Sequence, residues 1–224
     1  MSRPPFVVLH VCLGNICRSP MAERLLAHRV RERLGDRAEE YVLVESAGTG
    51  SWHAGERMHP PAARELRRRG ADDGGFAART LLAAHLDTAD LILTATAEQL
   101  AYVESLRADA SDRAFVLGEF GRLLPSVDAV NLPPVSTEAQ PGDDSDRVVP
   151  DPSAVYDRGV AIVAAADALR AGAPPRPGDD LDDPWGRSDV HFTRTADEIE
   201  TAIVPFAELL LPRPVRHNFD KSRN

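Results

Sequence analysis

Apolar positions along the chain fall into short blocks that switch between two periods. Residues 6–11, Phe-Val-Val-Leu-His-Val, form a continuous apolar and β-branched run, the pattern of a strand covered on both faces. After a polar stretch, Met21, Leu25, Leu26 and Val30 recur at helical spacing until Gly35. Ser19 is the expected N-cap, with Pro20 at the first helical position and Glu23 in the first turn. The alternation then repeats. Residues 41–46 predict a second strand and 60–69 a short helix closed by Gly70. Residues 89–94 predict a third strand, followed by a helix over 97–107. Residues 114–117 predict a fourth strand that runs into Gly-Glu-Phe-Gly-Arg-Leu-Leu. Strands separated by helices imply an α/β fold with a parallel sheet between two helical layers.

The pattern changes at Pro125. Ten of the 18 prolines lie between 125 and 184, together with acidic clusters at 143–146 and 179–183. An Ala-rich helical stretch at 154–171 interrupts this region, which therefore reads as an insertion of loop, helix and loop over 125–181. A last amphipathic helix is expected at about 195–211, with Ile199, Ile203, Phe206 and Leu210 on one face. The tail, 212–224, is polar and expected to fray. Residues 1–224 are long enough for one good core, so a single domain is expected, its core at about 6–124 and 182–211.

Composition narrows the function. Lys plus Arg number 26 against 35 Asp plus Glu, a net charge of -9. A duplex nucleic-acid binder needs a basic face, so nucleic acid is not an expected partner. No apolar run approaches the roughly 18 residues of a membrane helix, and the short run at 6–11 is not followed by a small-residue cleavage site. Cys12 and Cys17 are the only cysteines, too few and too close together for a secreted disulfide scaffold. A cytoplasmic protein without a membrane partner is the expectation.

Both cysteines sit in Cys-Leu-Gly-Asn-Ile-Cys-Arg-Ser-Pro, residues 12–20, between the first strand and the first helix. Successive backbone N–H groups in such a loop form an anion cradle, and the helix N-terminus adds partial positive charge. Gly14 allows close approach of an anion, and Asn15 tolerates a left-handed backbone. Arg18 can grip two phosphoryl oxygens at once, which a Lys cannot. The same field favours a thiolate at Cys12, and the Ser19 hydroxyl is placed to donate toward its sulfur.

This loop resembles the phosphate-binding loop of the low-molecular-weight protein tyrosine phosphatases. Ser-Ala-Gly-Thr-Gly-Ser-Trp-His at 46–53, Ala-Asp-Leu-Ile-Leu-Thr at 89–94, Phe-Val-Leu-Gly-Glu-Phe at 115–120 and Asp-Pro-Trp-Gly at 183–186 extend the likeness. The resemblance implies a three-layer, phosphatase I-like fold with a four-stranded parallel sheet, here with the Pro/Asp-rich insertion before the C-terminal helix. It implies a phosphotyrosine phosphatase without metal or organic cofactor. Cys12 would be the nucleophile, Arg18 would hold the phosphoryl group, and Leu13, Gly14, Asn15, Ile16, Cys17 and Ser19 would complete the cradle. Ser46 would support the loop from below. The substrate would be a phosphotyrosine-containing protein, a bacterial tyrosine kinase among the candidates.

The family's general acid is an Asp followed by Pro on a late loop. Two such pairs occur, Asp151-Pro152 and Asp183-Pro184. Asp183 has the matching context, an aromatic residue and Gly after it and then a final helix. Asp151 precedes the helix of the insertion, where Asp-Pro is an ordinary helix start. Trp52 and Trp185 would wall the pocket against a phenyl ring or, alternatively, cap the core edge. Cys17 could close a reversible disulfide with Cys12 or simply pack under the loop. The seven histidines show no metal-ligand spacing. Two other functions fit the same residues: arsenate reduction with an external thiol, and phosphate binding without catalysis.

Overall fold

The computed structural model describes residues 3–135, 137–138 and 149–213. Strand β1 (Phe6–Cys12) leads through the loop into α1 (Arg18–Leu34), then β2 (Val42–Gly48), α2 (Pro60–Arg68) and α3 (Ala83–Thr88). The alternation continues with β3 (Leu91–Thr94), α4 (Ala97–Leu106), β4 (Ala114–Val116) and α5 (Leu117–Leu123). Two paired antiparallel strands of two residues each, β5 (Thr137–Glu138) and β6 (Val149–Pro150), precede α6 (Pro152–Arg170) and α7 (Asp189–Leu210).

The first four strands form one parallel sheet in the order β2-β1-β3-β4. Successive strands are added to opposite sides of β1, so the sheet has a switch point at the C-terminal end of β1. Ligands of open α/β sheets bind in the crevice at such a point. Cys12 is the last residue of β1 and pairs in register with Gly48. Alternation along β1 sends Phe6, Val8 and Cys12 to one face, where they pack with Met21, Leu66, Phe120, Ile162 and Ile199. Leu9 and Val11 face the other side, under Leu86, Leu100 and Val103. The result is the expected three-layer architecture. Among the described residues, no helix is long and apolar enough to cross a membrane.

Several boundaries differ from the sequence pattern. Helix α1 begins at Arg18, with Cys17 in the capping position, so Ser19 lies inside the first turn and Glu23 beyond it. The Ser19 hydroxyl is engaged by the Cys12 sulfur and the Asn15 side-chain amide instead of an N-cap bond. Helix α7 starts at Asp189, well before 195; Phe192 is the one large apolar side chain its first two turns bury, so they show little apolar periodicity in the sequence. Helix α3 escaped the pattern because only Leu86 of its six residues is buried. The stretch at 154–171 extends to Pro152–Arg170, with the Asp151 carboxylate capping it through the Ser153 N–H at 3.0 Å. This helix belongs to the main core. Val155, Ile162 and Ala166 are fully buried, and a Cβ on Gly159 would come within 2.6 Å of the Phe6 ring. The acidic cluster at 143–146 and residues 214–224 of the tail lie outside the described residues.

Candidate active site

The loop between β1 and α1 is held from outside by its own carbonyls. Thr49 N–H donates to the Cys12 carbonyl at 2.9 Å, Gly50 N–H to Leu13 at 2.8 Å, and His59 N–H to Ile16 at 2.9 Å. Tying these carbonyls outward is the arrangement that leaves loop amides available to an anion. Asn15 adopts φ of 53°, the left-handed conformation its residue type tolerates. Gly48 passes directly beneath: a Cβ there would meet the Leu13 carbonyl oxygen at 2.9 Å. That close approach is why the second strand ends in a glycine.

Cys12 is buried, and its sulfur accepts the Asn15 N–H at 3.3 Å and lies 2.9 Å from the Ser19 hydroxyl. The Ser19 oxygen already accepts from the Asn15 side-chain amide at 2.9 Å, so its hydrogen is free to point at the sulfur. The same amide donates to Ser46 at 2.8 Å, and Ser46 in turn donates to Glu23 at 2.5 Å. Arg79 closes the network: its backbone N–H donates to the Asn15 side-chain Oδ1 at 2.9 Å and its guanidinium Nε to the Ser46 backbone carbonyl at 2.7 Å. Burial raises the Glu23 carboxyl above its usual range, against the hydrogen bond from Ser46 and the charges of Arg24 and Arg79. Ser46 thus stands where a loop support was expected. The sequence marks Glu23 only as a residue of the helix start and gives no sign of Arg79, since both reach the loop through Ser46 and Asn15 and not through the motif itself.

Arg18 is almost wholly buried at the start of α1. One guanidinium nitrogen donates to the Leu181 carbonyl at 3.1 Å, and the other to the Asp183 carboxylate at 2.8 Å. Asp183 also accepts the Trp185 N–H at 3.1 Å, which fixes the turn after it. Of the two Asp-Pro pairs, only Asp183-Pro184 reaches the loop; Asp151 is engaged as the cap of α6. Cys12, Leu13, Gly14, Ile16, Cys17, Arg18, Trp52, His53, Asp183 and Trp185 line one cleft of about 230 Å³. Trp52 is 61% exposed and Trp185 60%, and both line this cleft. His53, held by Glu56 at 2.8 Å, is an addition to the expected lining.

Cys17 is buried beside Cys12, and its thiol is pushed up to about 12, chiefly by burial and then by the neighbouring Cys12 and Asp183 charges, against Arg18. No group of three or more metal-ligating side chains occurs among the described residues.

A sequence model of one protein family, described as low molecular weight phosphotyrosine protein phosphatase, matches residues 7–127, more than half of the 224. The chain belongs to this family. The phosphatase match takes in the whole loop and ends before the stretch that carries Asp183. Low molecular weight protein-tyrosine-phosphatase YfkJ of Bacillus subtilis is 38% identical over 99 residues, 44% of this chain and 62% of that protein. PtpA of Staphylococcus aureus, a phosphatase of the same description, is 34% identical over 116 residues, 52% of this chain and 71% of that one. Among solved structures, the YwlE arginine phosphatase of Geobacillus stearothermophilus superposes with a TM-score of 0.58 at 24% identity, covering 92% of this chain and 93% of that one. That likeness establishes a shared phosphatase fold.

Proposed function

We propose that this chain is a cysteine-dependent phosphatase that hydrolyses phosphotyrosine in proteins through a phosphocysteine at Cys12. The observation that carries the reading is the meeting of the Cys12 sulfur, the Arg18 guanidinium and the Asp183 carboxylate in one cleft. A phosphate dianion brings more charge and more acceptor oxygens than the Asp183 carboxylate, so it takes over the Arg18 donors. Asp183, released toward the cleft, takes up the proton it will transfer.

In the first step the Cys12 thiolate attacks phosphorus, the S–P bond forms and the P–O bond to the phenol breaks. Asp183 delivers its proton to the departing oxygen. Arg18 and the loop amides of Leu13, Gly14, Ile16 and Cys17 hold the equatorial oxygens, while the Asn15 N–H and the Ser19 hydroxyl steady the sulfur. In the second step water attacks the phosphocysteine, Asp183 takes its proton, and phosphate leaves with the thiolate restored. Trp52 and Trp185 offer apolar faces to the phenyl ring.

Replacing Cys12 by Ser is expected to abolish turnover of an aryl phosphate while phosphate or vanadate still binds. Asp183→Ala is expected to lower kcat on the same substrate by about 10²- to 10⁴-fold, whereas Asp151→Ala leaves it unchanged. An unimpaired Asp183→Ala enzyme would remove the acid from this account.

The reading extends to the setting. Residues 1–224 are proposed as one phosphatase unit acting in the cytoplasm on phosphotyrosine proteins, with a bacterial tyrosine kinase as one candidate substrate and no cofactor required. Arsenate reduction would need a thiol from outside: Cys17, held protonated by burial, is a poor nucleophile for disulfide exchange. Measuring arsenate reduction beside aryl phosphate hydrolysis separates that reading, and absence of both activities would leave only phosphate binding.

A further inference from the structure

The segment that carries Asp183 is fixed at its root by a group of contacts outside the catalytic cleft. Asp179 is buried, and its carboxylate accepts two hydrogen bonds from Arg122 on α5, from Nε at 3.1 Å and from an Nη at 2.9 Å. It also accepts the Arg176 N–H at 2.7 Å. Burial alone would raise this carboxyl, but Arg122 and the Arg176 amide bring it below its usual range. One turn away on the same helix, Gly118 lies directly under the Asp179 backbone, where a Cβ would stand 2.4 Å from its carbonyl oxygen. The next residue, Asp180, accepts the Ala97 N–H at the start of α4 at 2.8 Å. Leu181 N–H then donates to the Ala95 carbonyl beyond β3 at 2.8 Å, and the Leu181 carbonyl accepts from Arg18.

Three residues separate Asp179 from Asp183, and the contacts of Asp180 and Leu181 tie the segment to the end of β3 and to the starts of α4 and α1. A proton donor works only when its oxygen stands within hydrogen-bond reach of the leaving group, and a displacement of about 1 Å costs on the order of 10²-fold. Arg122 and Asp179 do not line the cleft. Whatever they contribute to the reaction must pass through the loop they hold.

We propose that the Arg122–Asp179 pair, seated on Gly118, is the positioning device for Asp183 and sets how efficiently it protonates the leaving phenol. The proposal rests on the assignment of Asp183 as the acid. An ion pair that served stability alone would slow all substrates alike when lost. A positioning pair would slow those whose leaving oxygen is basic and needs the proton, and spare those whose leaving group departs readily as an anion.

The test compares kcat/KM for phenyl phosphate, with a basic leaving oxygen, and para-nitrophenyl phosphate, with an acidic one. Arg122→Gln is expected to raise the nitrophenyl-to-phenyl ratio about 10-fold, a fraction of the full contribution of a general acid. The inhibition constant for inorganic phosphate should stay within about twofold, since Arg18 and the loop are untouched. Gly118→Ala should show the same signature, because it displaces the same backbone by another route. Arg122→Lys, which keeps the charge but loses the two-point grip, should fall between wild type and Gln and serves if Gln does not fold.

The Asp183→Ala background supplies the control. There the ratio should already be high, and adding Arg122→Gln or Arg122→Lys should raise it no further. A ratio that stays at the wild-type value in Arg122→Gln, or in Arg122→Lys and Gly118→Ala should Gln not fold, would overturn the positioning role. So would a further rise in the Asp183→Ala background. If Asp183→Ala itself leaves the ratio at the wild-type value, the acid assignment fails first and the positioning proposal with it.

Discussion

Arg18 has one guanidinium to offer and two groups that want it, the Asp183 carboxylate seen here and the phosphoryl group of the reaction. The motif at 12–20 made Cys12 and Arg18 legible at once, because their chemistry depends on neighbours in sequence. Glu23 and Arg79 were not legible in the same way: they reach the loop from a later turn of α1 and from residue 79, through Ser46 and Asn15. His10 presents a different case. It lies on β1 two residues before Cys12, wholly buried, with its Nε2 unpartnered among the described residues, and burial lowers it to about 3. Its folded value lies below the ordinary 6.5, so the unfolded chain binds the proton more readily. Stability is therefore full above pH 6.5 and lost as pH falls toward 3, by about 2 kcal/mol at pH 5. Denaturant melts at pH 7 and pH 5 should show that loss in the wild type and a loss smaller by about that amount in His10→Leu; equal losses would contradict it.

At the scale of elements, the four strands and helices α1, α2 and α4 followed from apolar runs and helical spacing, because each buries a continuous face. The ends were less legible. Polar first turns hid the start of α7, and a short helix with one buried leucine hid α3. The larger difference concerns α6. Its Ala-rich sequence has little amphipathic contrast and sits among prolines, so it read as part of an insertion. Its seat in the core depends instead on small residues that let it approach β1, Gly159 against Phe6 above all. Gly159→Ala is expected to gain about 1 kcal/mol of helix propensity but to lose about 1–3 kcal/mol to overpacking against the ring. The net expectation is destabilisation, read as a lower urea midpoint, and partial recovery when Phe6→Leu is added. A stabilised single variant would mean that α6 can move away from β1 freely.

For the whole molecule, the net charge of -9 describes the surface more than the site. Many of the carboxylates are engaged by arginines far from the cleft, as in the Arg69, Asp197 and Glu200 cluster between α2 and α7. The cleft has its own field, set by Arg18, the helix start and the loop amides, within a distance where the global charge is screened. Fold and chemistry meet at the switch point of the sheet, where β1 delivers Cys12 and the late loop delivers Asp183. The most direct test of that account is rapid-quench mass spectrometry of the enzyme mixed with a phosphotyrosyl peptide and, separately, with a phosphoarginyl peptide. One phosphoryl group on the Cys12-containing fragment is predicted with the phosphotyrosyl peptide, absent from Cys12→Ala and more persistent in Asp183→Ala. Tyrosine turnover without that adduct, a phosphoryl group on any other residue, or an adduct formed only from phosphoarginine would contradict it.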